Sequence, residues 1–131
     1  MYTPFGNVLV VIAAIVLFGC ATALRHAPVS FTPTRAAAPQ TIVIEKAVDV
    51  EPVSSSGYAR TLKAGSVWKE VGTVPQGTVY KVEDDVFMLE AAHMHEAYCV
   101  IQNNTLVGFY LPVEQAFVAA YEKVSLPIKT Q

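Results

Sequence analysis

Three side chains able to ligate a metal or act as a nucleophile pair fall within seven residues, His93, His95 and Cys99 in "HMHEAYC". On an extended strand, side chains alternate between faces, so both imidazoles and the thiol would line one side. Zn²⁺ and copper accept such donors. The spacing matches no recognised zinc signature, and a fourth ligand is not evident. The plainer expectation is two histidines in a surface loop leading into a strand, with Cys99 buried as a small apolar residue. A Cys–His nucleophile would need an exposed thiol in an electropositive setting. Cys99 instead opens the apolar run Cys99-Val100-Ile101, and no oxyanion-hole loop or orienting residue can be picked out. The sequence therefore assigns no catalytic residue and no cofactor, and it does not point to an enzyme. Glu83-Asp84-Asp85 lacks the ligand spacing of a calcium loop and reads as a solvated turn. Trp68, Tyr80, Phe87, Tyr98, Phe109 and Tyr110 could line a groove, but a small domain needs such side chains for its core.

The second cysteine, Cys20, sits in a different setting. Val8 to Leu24 is a run of 17 apolar or small residues, at the short limit for a spanning helix. Its strongly apolar part, the 11 residues Val8 to Phe18, fits the hydrophobic region of a secretory signal. Leu17-Phe18-Gly19-Cys20 follows, and this resembles the bacterial lipobox. In that family the cysteine sulfur takes a diacylglycerol, the chain is cut before the cysteine, and the new N-terminus is acylated. The resemblance implies a signal peptide over 1–19 and lipidation of Cys20. With Ala rather than Asp at position 21, it also implies delivery to the outer membrane, facing the periplasm. The alternative is an uncleaved single-pass anchor through 8–24. If Cys20 is lipidated, Cys99 has no cysteine left to pair with.

None of the first 24 residues is charged, so all 9 Lys/Arg and all 11 Asp/Glu lie after the apolar run. The body is mildly acidic and has no basic block, which excludes the electrostatic footprint of a nucleic-acid binder. From Ala21 to Gln40 the chain is rich in alanine and proline without an apolar period, as expected of an extended tether. Linker is expected over 20–57, with a possible strand at 41–50 that either joins the domain or docks on a partner. The globular domain is expected over 58–131.

Within that domain the pattern is β-like. Ser66 to Gly72 and Thr78 to Glu83 flank a Pro75-Gln76-Gly77 turn and read as a hairpin. Asn103-Asn104 suits a two-residue turn with positive φ at both positions. That register pairs Ile101 with Leu106, Cys99 with Gly108 and Tyr98 with Phe109. Both faces of the hairpin are apolar, so it should lie centrally in a sheet. After Pro112, the residues Val113, Phe117, Ala120 and Tyr121 recur at helical spacing, which predicts one late helix with Glu114 near its N-terminus. A short edge strand is expected at "VSLPI". The expected fold is mainly β, with five or so strands and that helix, either a partly open SH3-like barrel or an α+β sandwich. The body segments "GTVPQGTVYK", "HEAYCV" and "LVGFYLPVE" resemble small uncharacterised envelope proteins of proteobacteria.

Together these readings give an expected role: a lipid-anchored periplasmic component of an envelope complex of secretion, conjugation or pilus type, acting by protein contacts. The alternative is a ligand-binding lipoprotein, taking a metal through His93, His95 and Cys99 or cell-wall glycan on an SH3-like face.

Overall fold

The computed structural model of the chain describes residues 26–53 and 57–131. In chain order its strands are β1 (Ala27–Pro28), β2 (Thr32–Pro33), β3 (Thr41–Ile44), β4 (Val48–Val50), β5 (Arg60–Leu62), β6 (Val67–Val74) and β7 (Gly77–Val82). Then come β8 (Met88–Glu90), β9 (Met94–Glu96), β10 (Tyr98–Gln102), β11 (Thr105–Leu111), β12 (Ala116–Ser125) and β13 (Ile128–Thr130). Nine of them form one antiparallel sheet, in the order β1-β12-β11-β10-β7-β6-β3-β13, with β2 also on β6. The sheet is open, and it does not close into a barrel. Two small two-stranded sheets, β4-β5 and β8-β9, complete the fold.

The strand expected near 41–50 is two strands, and the first is an integral part of the sheet. β3 lies between β6 and β13, with Ile42 opposite Trp68 on one side and Thr130 on the other. Ile42, Ile44, Val48 and Val50 all enter the main core. The folded unit thus begins well before residue 58, and β3 is not a spare strand awaiting a partner.

No helix follows Pro112. Residues 112–115 form a turn, Gln115 takes a left-handed φ of 51°, and β12 runs antiparallel to β11 from Ala116. The helical reading would have buried Val113 and Tyr121, yet these are 79% and 75% exposed. Pairing with an already apolar β11 outweighs the weak local preference for helix. The expected edge strand also moves: β12 runs through Ser125, and β13 starts only after Pro127, which has no N–H to give a ladder.

The Asn103-Asn104 turn forms as expected, with φ of 50° and 59°. Gln102 faces Thr105 and Ile101 faces Leu106, but a bulge then shifts the register so that Val100 meets Gly108, Cys99 meets Phe109 and Tyr98 meets Tyr110. One extra residue on β11 reverses the faces of everything beyond it. Phe109 consequently joins the main core with Cys99, Ile101 and Leu106, while Tyr110 turns to the opposite face.

Both faces of the central sheet are covered. On the main face, Phe87 from the β7–β8 connection lies edge-on to Trp68 and stacked on Phe109, each with ring centroids 5.8 Å apart. Burying three aromatic rings there, with Leu62 and Leu89 from the two small sheets, supplies much of the apolar area that stabilises the fold. The opposite face carries Val74, Val79, Val100 and Tyr110, covered by Val29 and Phe31 of the N-terminal segment. This segment links β1, on the outer edge of β12, to β2, on the edge of β6. β1 and β2 lie outside β12 and β6, so six strand spacings separate them, about 29 Å along a flat sheet. Pro28 to Thr32 is four peptide links, about 14 Å at full stretch. The chain can bridge the two edges only because the sheet curls beneath it.

Candidate functional site

The residues singled out for metal chemistry do not gather. His93 is exposed in the turn between β8 and β9. His95 lies on β9, which pairs with β8 in a separate small sheet; the strand is interrupted at Ala97, whose N–H donates to the Phe87 carbonyl, before β10 begins. Cys99 is 1% exposed on the main face, opposite Phe109 on β11 and Tyr80 on β7. The shared strand parity of the three therefore has no geometric consequence. Burial pushes the Cys99 thiol far above its ordinary ionisation range, so it behaves as the small apolar residue expected. Among the described residues, no group of three His, Cys, Asp or Glu side chains is placed to hold a metal ion.

His95 has a different partner, Glu114. Its Nδ1 lies 2.5 Å from Glu114 Oε1, with side chains 13% and 26% exposed. Glu114 stands in the β11–β12 turn, and the left-handed conformation of Gln115 lets the chain reverse there before β12 begins. Burial opposes ionisation of the Glu114 carboxyl. The hydrogen bond from His95, its own backbone N–H, and the nearby His95 and His26 imidazoles outweigh burial and hold it below the usual range. Glu114 Oε2 is buried and makes no hydrogen bond of its own. Three parts of the fold thus meet electrostatically: the start of the N-terminal segment, β9 and the β11–β12 turn. Sequence reasoning placed Glu114 at a helix N-terminus and missed this pair, because nothing in the spacing of residues 95 and 114 signals contact.

The acidic turn is structural. Asp84 adopts φ 55°, Asp85 accepts a hydrogen bond from the Val86 N–H at 2.7 Å, and Lys63 Nζ lies 3.5 Å from Asp85 Oδ2 on the surface. A cavity of about 220 Å³ opens beside it, with Arg60, Lys63, Trp68 and Phe87 among its lining. Its polar groups are already engaged. The Arg60 guanidinium sits over the Phe87 ring at 5.7 Å, and Trp68 Nε1 donates to Ser66 Oγ at 3.0 Å. The aromatic side chains weighed as a groove divide between the two core faces, with Trp68, Tyr80, Phe87 and Phe109 on one and Tyr98 and Tyr110 on the other.

Cys20 and the apolar run 8–24 lie outside the described residues. Among the described residues no helix is long and apolar enough to cross a membrane. Comparison with protein-family models, curated proteins and solved structures gives no match.

Proposed function

We propose that the chain is a lipid-anchored protein of the periplasm, held to the outer membrane through Cys20, whose β-rich body makes protein contacts as a structural or assembly component of an envelope complex. The observation that carries this reading is Leu17-Phe18-Gly19-Cys20 at the end of an 11-residue apolar core. Two or more acyl chains give stable attachment where a single one is marginal, which is the use the lipobox resemblance implies. Seven residue steps lead from Cys20 to Ala27, where β1 begins. That length of chain spans about 25 Å at most. A body so tethered works close to the membrane surface, within reach of the periplasmic parts of a membrane-embedded assembly. The side chains with reactive potential have structural partners instead: Cys99 the core and His95 the Glu114 carboxylate. An envelope machine of secretion, conjugation or pilus type provides such a role, and no enzymatic step is assigned.

Purification of the native chain from detergent-solubilised membranes tests the proposal. Stoichiometric co-purifying proteins support it. A monomer carrying a bound metal or glycan would favour the ligand-binding alternative.

A further inference from the structure

Residues 26–34 cross the second apolar face as a strap, and their backbone holds on lightly. Two residues pair with β12 and two with β6. Beside them stand single bonds from Val29 N–H to the Gln115 carbonyl at 3.3 Å and from Thr34 N–H to the Val71 carbonyl at 3.0 Å. Pro28 and Pro33, one in each of the two short pairings, have no N–H to contribute. Side chains add to the seating: Thr34 Oγ1 donates to Glu70 Oε1 at 3.0 Å, the His26 imidazole lies near the Glu114 carboxylate, and apolar shape supplies the rest. The Phe31 ring lies nearly parallel to Tyr110, 4.8 Å between centroids and 13° between planes. It also fills the space over Gly72, where a Cβ would come within 2.4 Å of it. Val29 packs on the same cluster, and both strap side chains remain partly exposed.

The strap contributes nothing to the main core. It joins the body through Arg35–Gln40, of which Arg35 to Ala38 are exposed. The strap can therefore leave its face while the main core stays closed. The face it leaves is apolar and shaped for one object, an extended segment with an aliphatic residue and an aromatic residue two positions later. An apolar face left open to water is unfavourable, and a second copy of this chain carries the same segment.

We propose that this face is an exchange site between copies: residues 26–34 of one chain seat on the second, Phe31 over Gly72 and Tyr110, and the second chain reciprocates. Every contact within the strap is kept in such a two-fold dimer, so concentration decides between the closed monomer and the exchanged pair. The inference draws on residues 26–118 and does not rest on the Cys20 reading.

Thr32 and Thr73 face one another across β2 and β6, and both are exposed. Full-length Thr32→Cys and Thr73→Cys variants, mixed in detergent micelles with a short thiol-to-thiol linker, should give a covalent heterodimer. Peptide mass mapping should place the link between position 32 of one chain and position 73 of the other. Adding Phe31→Ala to the Thr32→Cys chain should reduce the yield several-fold. A chain carrying both cysteines serves as the reference for linkage within one molecule. If that chain links internally while the mixture gives no 32-to-73 link, the strap stays at home and the proposal fails. A heterodimer yield indifferent to Phe31→Ala would also overturn it.

Discussion

Cys99 and Glu114 carry opposite lessons about what surroundings do to an ionisable side chain. The Cys99 thiol is sealed between Phe109 and Tyr80 strand neighbours, and burial holds it in its neutral form. Since the thiolate is the reactive species, an alkylating reagent at neutral to mildly basic pH should label position 99 only after denaturant is added. Mapping the modified peptide checks this, and labelling of the folded chain at a free-thiol rate would contradict it. Glu114 is held below the usual carboxylate range, so the native state favours its charged form. Its contribution to stability is present above the unfolded-state value of about 4.3 and is lost as pH falls through the lower folded value. As pH falls below the ordinary carboxylate range, urea midpoints of the wild type should drop more steeply than those of Glu114→Gln. Equal slopes would show that the His95 contact adds nothing. The fate of Cys99 was legible in the sequence because its neighbours Val100 and Ile101 are apolar. The partner of His95 was not, because a contact across 19 residues leaves no local pattern.

At the scale of elements, the turn was readable and the register was not. Two consecutive asparagines accept positive φ, which fixes where β10 ends and β11 begins. Leu106 to Leu111 is apolar at every position but Gly108, so either parity satisfies the pattern and the bulge near Val107 has no signature. The bulge decides which ring the main core receives. Phe109→Ala should cost about 3–5 kcal/mol, enough to unfold a marginal domain, as read from denaturant titration. A folded variant of wild-type stability would put that ring at the surface. Gly108 admits a neighbouring backbone and ring: a Cβ there would meet the Val118 carbonyl oxygen at 2.3 Å and the Phe117 ring at 2.5 Å. Gly108→Ala should therefore destabilise by about 1–3 kcal/mol, whereas Asn104→Gly should be neutral or slightly stabilising. Equal midpoints for the two variants would remove the case for a closed contact at Gly108. The late helix failed for a related reason. Val113, Phe117, Ala120 and Tyr121 fit a helical period, but Ala116 and Val118 also fit a strand face, and the long-range partner β11 made the choice.

At the scale of the whole molecule, the sheet is apolar on both sides and recruits a cover for each. The β-rich class followed from the alternation of residues 66–111, but the extent of the sheet did not. Alanine and proline dominate the segment before Thr41, and they conceal the two residues that matter there, Val29 and Phe31. The described part of the stretch read as tether is laid across the fold rather than free of it. The consequence is a short length of chain between Cys20, the proposed lipidation site, and the first strand, which in the proposed role ties the body to the membrane surface. That role depends on the chemistry of one residue. Intact-mass spectrometry of the native chain purified from membranes reads it directly. A chain beginning at Cys20 and carrying the added mass of a diacylglyceryl group and an N-terminal acyl chain is the expected result, and a chain that retains Met1 and bears no lipid would contradict the account.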